Sequence, residues 1–379
     1  MLQPPAPNSE ITTVEASVAA REDVEFYSRG TRCAAWLYRP GRDNPPLIVM
    51  AHGLGAIRQI RLHEFAERFR AAGFAVLVFD YRFIGDSDGE PRQLLSLRAQ
   101  REDWHAAMTY ARTVAGVDHE EIAVWGTSLA GGHVLKVAAR DHSIAAVVAQ
   151  CPFTSGPASV RALGFFGLLQ AGAFGIADLV AKLFGRGPIL VPLVGVRGTP
   201  ALMKAPDVVG GVLEMMPPGT EFSKRLSGLY RKLGAKRIAL PPNVALSERP
   251  EQVRGTRFFG TVYTPGGGVM PNGVSARFGL TIGFDRPAGA MRKLTCPTMI
   301  CVCDHDSVAP PGPTTKAATT AGLEVHHYDA NHFGIYTGDQ PAILGHVLGG
   351  KLLELSGRLV EPRRVERPYH LRDQGIVGR

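Results

Sequence analysis

Three residues of this chain have the types and surroundings that nucleophilic catalysis needs. The first is Ser128, in Gly126-Thr127-Ser128-Leu129-Ala130-Gly131, between an apolar β-branched run at 122–127 and a helix-like run at 134–140. A serine on a sharp strand-to-helix turn holds its hydroxyl clear of the backbone, in a strained conformation. Strand and helix approach closely there, so the flanking residues must be small, and Gly126, Ala130 and Gly131 are. A helix starting at the serine also aims unpaired backbone N–H groups at any oxyanion formed beside it.

A serine hydroxyl is a weak nucleophile at neutral pH. It needs a histidine to take its proton and an acid to hold that histidine. On a parallel sheet the chain order is serine, acid, histidine. The acid is expected in the segment Cys303-Asp304-His305-Asp306-Ser307-Val308-Ala309-Pro310. Asp306 is the choice, because a position a few residues past a strand end reaches across the top of a sheet better than the first. Asp304 is the alternative and otherwise reads as a turn residue. The histidine is expected at His332, in Ala330-Asn331-His332-Phe333. His326 and His327 fall inside a strand-like run, where alternation sends them to opposite faces, and read as structural. The oxyanion should be held by two backbone N–H groups, those of Leu129 and Leu54, with Gly53 and Gly55 letting the backbone come close. His52 reads as a residue that holds this loop.

Elements that could position these residues follow from the pattern. A hairpin is expected over 24–28 and 31–38, turning at Arg29-Gly30. Continuous apolar runs at 45–51, 74–80, 122–127, 144–151 and 296–303 read as strands buried on both faces. Another strand is expected at 323–328. Helices are expected at 58–72, 94–115, 311–321 and 341–355. Strand–helix alternation implies a mostly parallel central sheet flanked by helices, with ligands beyond the carboxyl ends of the strands. His52, Asp80, Ser128 and Cys151 all lie at such ends. The alternation stops after Pro152. Residues 153–290 are therefore read as a cap or lid inserted after the sixth strand, rather than a second independent domain. The core would comprise 21–152 and 291–356, with a loose leader at 1–20 and a basic tail at 357–379.

The 379 residues are 45% hydrophobic and 20% charged, an ordinary globular balance, with a net charge of +8. The excess sits at Lys224, Arg225, Arg231, Lys232, Lys236 and Arg237, and in the tail at Arg363, Arg364, Arg367 and Arg372. No aromatics are interleaved with these charges, so both stretches read as solvated surface and nucleic acid is not an expected partner. Five cysteines in no metal-binding spacing imply neither a disulfide framework nor a zinc site. Four of them, Cys33 being the less clear one, read as small core residues in a reducing, cytoplasmic setting. No secretory leader is evident, and no segment reads as an uninterrupted membrane span. The closest is 162–184, broken by Gln170, Asp178 and Lys182. The tail could pack loosely or serve between the subunits of a homodimer.

The motifs His52-Gly53-Leu54-Gly55, Phe79-Asp80-Tyr81-Arg82 with Gly85-Asp86-Ser87, the turn at Ser128, Asp306, and His332-Phe333 stand in this order. Together they resemble the α/β-hydrolase superfamily, above all its bacterial, capped serine-hydrolase branch. The resemblance covers about 24–152 and 293–355. It departs at Ala130, where relatives carry glycine, and at Cys303, which replaces a frequent glycine before the acid loop. The resemblance implies the α/β-hydrolase fold and a Ser128–His332–Asp306 triad. A serine rather than an aspartate nucleophile implies acyl chemistry without a cofactor or metal. The expected reaction is cleavage of a carboxylic ester, lactone or thioester by an esterase-like enzyme. If the run at 162–184 lines the cap, a lipophilic small molecule is the expected substrate. Acyl transfer, peptide cleavage and a non-catalytic binding role on the same scaffold are the alternatives.

Overall fold

Runs that are apolar at every position form the middle of the molecule. The computed structural model describes residues 21–196, 198–223, 241–247 and 260–337. The expected leader, the basic stretch 224–237, the helix at 341–355 and the tail at 357–379 lie outside the described residues. Eight strands build one sheet: β1 (Arg21–Ser28), β2 (Thr31–Tyr38), β3 (Pro46–Ala51), β4 (Ala75–Phe79), β5 (Asp118–Thr127), β6 (Ala146–Gln150), β7 (Thr298–Cys303) and β8 (Glu324–Tyr328). Their spatial order is β1-β2-β4-β3-β5-β6-β7-β8. β2 runs antiparallel to β1 and β4, and all other neighbours are parallel. Every residue of β3, β4, β6 and β7 is buried, as strands covered on both faces require. The β1–β2 hairpin turns through Arg29 at φ 51° and Gly30 at φ 77°, the left-handed pair that matches strand twist.

Helices cover both faces: α1 (Leu62–Ala71), α2 (Leu97–Ala111), α3 (Leu129–Ala138), α4 (Gly156–Leu183), α5 (Val208–Glu214) and α6 (Pro311–Thr320). On one face Ile48, Met50, Val78 and Trp125 pack beneath α1, with Phe65 5.2 Å from Trp125. On the other, Val49, Leu77, Phe79 and Val124 meet α2 and α3, with Phe79 5.2 Å from Trp104. α2 starts where Ser96 accepts the Ala99 N–H, an N-cap. α1 begins at Leu62 instead of the expected 58. The Arg58 amide is bound to Asp80 Oδ1 at 2.7 Å and its guanidinium to Asp80, and Arg61 then turns left-handed at φ 65°. A buried ion pair here overrides helical periodicity.

The chain leaves the sheet after β6 and returns at β7. Between them lie α4, α5, a four-stranded sheet (order Val269–Pro271, Thr261–Tyr263, Thr220–Ser223, Val244–Ser247) and the pair Leu190–Val191 and Val274–Ser275. Leu193, Val212, Met216, Met270 and Phe278 of this segment join the same apolar cluster as Ile48 and Trp125. Insertion and sheet thus share one core. Polar ties reinforce it: Asp285 receives Arg101 and Lys136, and Asn272 bonds both backbone groups of Val194 at 2.9 Å.

α4 is the long apolar run. It kinks at Gly164, and by length and composition alone 166–183 would suffice to cross a membrane, with a mean hydropathy of 1.4. Only a minority of that stretch is buried: Phe166, Leu169, Ile176 and Leu183 are exposed. Asp178, one of the residues that breaks the run, is fully buried. It accepts the Ile189 N–H and pairs with Arg277 at 2.8 Å, tying the helix to the insertion. All five cysteines are free thiols. Cys33 in β2, Cys151 just after β6, and Cys301 and Cys303 in β7 are buried, whereas Cys296 precedes its strand and is only half-buried, the reverse of the expected ranking of Cys33 and Cys296.

Candidate active site

Ser128 stands at φ 55°, ψ −118°, between β5 and α3. This conformation is unfavourable for a residue with a side chain and persists only where the surroundings impose it. The Ser128 amide donates to Gln150 O at 2.9 Å and its carbonyl accepts the Phe153 N–H at 2.9 Å, so β6 locks the turn. A Cβ on Gly126 would come within 2.4 Å of the Ala130 carbonyl oxygen, and one on Gly131 within 2.8 Å of Pro152. The close approach therefore falls at 126 and 131. The methyl of Ala130 is accommodated, which accounts for that departure from the expected motif.

His332 follows β8, in a loop closed by Asn331, whose Oδ1 accepts the Phe333 and Gly334 amides at 3.0 and 2.7 Å. Its Nε2 is 2.9 Å from Ser128 Oγ and its Nδ1 2.6 Å from Asp306 Oδ2. The other oxygen of Asp306 accepts the Val308 and Ala309 amides at 2.8 and 2.6 Å, which fixes the carboxylate. Asp304 points elsewhere: it is 2.6 Å from His327 Nδ1 near the surface. His326 pairs with Glu324 at 2.7 Å. Of the two candidate acids, Asp306 meets His332, and both strand histidines lie away from the serine. Burial disfavours a charged His332. The Asp306 carboxylate, and after it Cys151 and Asp207, outweigh that and raise its pKa to about 9.

Leu54 and Leu129 both line the space over Ser128. A Cβ on Gly53 would lie 2.7 Å from Ser128 Cβ, so the 53–54 backbone sits against the serine. Among the described residues no acceptor takes the N–H of Leu54 or Leu129. His52 holds the loop as expected: Nε2 donates to Ile60 O at 2.7 Å and Nδ1 accepts the Gly53 N–H at 2.9 Å. Burial lowers its pKa to about 4, which keeps it neutral in that role.

Two cavities meet at Ser128. One, about 40 Å³, is walled by Met215, Met216, Met270, Phe333 and Tyr336. The other, about 100 Å³, is walled by Phe153, Val160, Leu168, Phe278 and Ile282. α4 thus contributes Val160, Leu168 and Ala171 to the second cavity and presents its remaining apolar side outward. Cys151, Asp306 and His332 place potential ligand atoms within 4.8 Å of one another. Asp306 and His332 are engaged with each other and with Ser128, so this group is the underside of the hydrogen-bonded chain.

Sequence reasoning missed four contacts that reach the site from afar. Ser307 Oγ donates to Asp207 at the start of α5, 2.7 and 2.9 Å from its two oxygens. Gly211 of α5 rests on Phe333, where a Cβ would stand 2.5 Å from the ring. α5 therefore braces the acid and histidine loops. Tyr336 stacks on His52 with centroids 6.0 Å apart, and its hydroxyl meets that of Thr127. Ser307 was visible beside Asp306, but nothing local marks Asp207 or Tyr336.

Residues 46–187, a span that includes Ser128, match a family model described as the alpha/beta hydrolase fold. The chain is 40% identical over 319 residues to a quorum-quenching protein, AidA, of Acinetobacter baumannii, covering 84% of this chain and 89% of that protein. It is 37% identical over 131 residues to a thiohydrolase, aneE, of Aspergillus aculeatus, covering 34% of this chain and 41% of that protein. The structure superposes on the crystal structure of the alpha/beta hydrolase GrgF from Penicillium with a TM-score of 0.64 at 21% identity, over 89% of this chain and 99% of that one. With the sheet order, the strained turn at Ser128 and this likeness over most of its length, the chain belongs to the α/β-hydrolase fold family.

Proposed function

We propose that this protein is a serine hydrolase that cleaves a carboxylic ester, lactone or thioester through an acyl-enzyme on Ser128. The observation that carries the reading is the unbroken chain Ser128 Oγ–His332 Nε2 and His332 Nδ1–Asp306, at 2.9 and 2.6 Å, on a serine held at positive φ against two cavities. Ser128 attacks the carbonyl carbon while His332 takes its proton. Asp306 keeps the imidazole in the tautomer with Nε2 free and stabilises the imidazolium that forms. The tetrahedral oxyanion is received by the amides of Leu54 and Leu129. His332 then protonates the leaving group, and a water activated by the same nitrogen releases the acid. The apolar walls of both cavities favour a lipophilic small-molecule substrate. The likeness to the thiohydrolase aneE over 131 residues supports hydrolysis of this kind.

The test is labelling by a fluorophosphonate probe together with turnover of a panel of nitrophenyl esters, lactones and thioesters. Wild type labels and turns over, and Ser128→Ala does neither. Labelling that persists in Ser128→Ala would place the nucleophile elsewhere. A second reading, acyl transfer by the same three residues, is favoured by one observation: two cavities with different apolar walls both reach Ser128, which offers an acyl chain and an acceptor separate approaches. Product analysis with an added alcohol or amine separates the two, since a transferase yields the new ester or amide in preference to the free acid.

A further inference from the structure

Beyond the cavities at Ser128 lies a wider one of about 740 Å³. Its walls come from the start of α4, from the segment leading into α5, and from Ser307 and Val308 of the acid loop. It shares Ser159, Leu202, Met203 and Val308 with the 100 Å³ cavity over Ser128, so the two adjoin as outer and inner rooms of one site. The outer room has apolar wall residues such as Phe166, Leu202 and Val208, and two cations, Arg161 and Lys204. Among the described residues its lining holds no carboxylate, and neither cation is paired with an acid. Arg161 is exposed and Lys204 half-buried, and two cations facing one partly apolar cavity without a counter-ion attract an anion through their unbalanced positive field. Lys204 is already partly desolvated, and burial lowers its pKa from the ordinary lysine value.

We propose that the outer room binds an anionic group, a carboxylate or a phosphate, on the part of the substrate remote from the scissile carbonyl, through Arg161 and Lys204. This rests on the reading of Ser128 as nucleophile. The substrate would be amphipathic, with its reacting carbonyl and apolar portion in the inner room and its charge in the outer one. The charge could sit at the far end of the acyl chain or on the leaving group.

Two matched pairs distinguish these sources: mono-nitrophenyl adipate against nitrophenyl hexanoate, and hexanoyl-coenzyme A against the uncharged hexanoyl-N-acetylcysteamine thioester. The readout is the kcat/KM ratio of charged to uncharged substrate within each pair, which cancels differences in the amount of folded enzyme. In the doubly substituted Arg161→Gln/Lys204→Gln protein the ratio falls about tenfold or more relative to wild type in at least one pair, as expected for the loss of two charge-assisted contacts. Arg161→Lys/Lys204→Arg retains most of it, and added salt compresses it in wild type. A fall in the adipate pair assigns the anion to the acyl chain, and a fall in the coenzyme A pair assigns it to the leaving group. Unchanged ratios in both pairs overturn the proposal. Absence of turnover on all four substrates, with Ser128 unlabelled by fluorophosphonate, instead fails the serine-hydrolase reading and this inference with it.

Discussion

The carboxyl rim of the sheet and the segment between β6 and β7 are built in opposite ways. The rim places Ser128, Asp306 and His332 on short loops leaving β5, β7 and β8, and each side chain has a hydrogen-bonded partner within 3 Å. The inserted segment consists of short strands, a brief α5 and one kinked helix whose apolar side is largely exposed. What the difference teaches is a division of labour. Positions that must be accurate to tenths of an ångström stand on the rigid sheet, where displacing one loop would disturb a packed core. Most walls of the two cavities at Ser128 stand instead on the insertion. The two regions share an apolar core, and polar contacts pin them together at Asp207–Ser307, Arg61 with the Met215 and Met216 carbonyls, and Asp285 with Arg101 and Lys136.

The comparison breaks most sharply at the nucleophile. Ser128→Ala should lower kcat by about 10⁵-fold or more while circular dichroism stays native. Substantial turnover in that variant would move the chemistry off the sheet. Asp306→Asn should cost about 10⁴-fold in kcat, because the imidazole loses its orienting acceptor. Asp304→Asn, which touches His327 and not His332, should lie close to wild type, and a larger loss there would exchange the roles of the two acids.

The pH profile belongs with this pair of variants. His332 acts as base only when neutral, so kcat/KM should rise with pH toward a plateau above about 9, higher than the ~6.5 of an ordinary histidine. In Asp306→Asn that limb should move to lower pH, since the carboxylate that holds the imidazolium is gone. The same raised value sets a stability window. The His332–Asp306 pairing contributes fully below the unfolded histidine pKa of about 6.5 and is lost as pH climbs through about 9. Thermal melts across that range check it.

Smaller effects sharpen the contrast from the insertion side. Asp178→Ala leaves Arg277 without its buried partner and should destabilise the fold by about 3 kcal/mol, read by denaturant titration. An unchanged midpoint would mean that α4 is not tied down by this pair. Asp207→Asn should reduce kcat about tenfold through slack in the acid loop, with the acid limb of the pH profile shifted slightly downward. A loss confined to KM would make α5 a wall and not a brace. Leu168→Trp, filling the inner cavity from α4, should lower the kcat/KM ratio of long to short acyl esters about fivefold. An unaltered ratio would remove α4 from the pocket.

Much of the sheet was legible because its signal is local. Five apolar runs and a hairpin turn at Arg29-Gly30 mark strands without knowledge of their neighbours, and observed boundaries differ from the expected ones by a few residues. The start of α1 was not legible, since periodicity cannot reveal that Arg58 is claimed by Asp80, 22 residues on. Cys33 and Cys296 were ranked in the wrong order for a similar reason: burial of a single small residue depends on what packs over it.

What the sequence by itself determined was the small-residue turn around Ser128, the order of serine, acid and histidine, and the loops that carry them. Steric limits on a tight turn and the period of a buried strand act over a few residues, so they are written in consecutive letters. Only the tertiary structure decided that Asp306 rather than Asp304 meets His332, that Asp207 braces Ser307 from 100 positions away, and which side of α4 walls the cavity. Those outcomes depend on how strands are ordered in the sheet and where the returning chain lands, and no stretch of neighbouring residues encodes a distance between two loops.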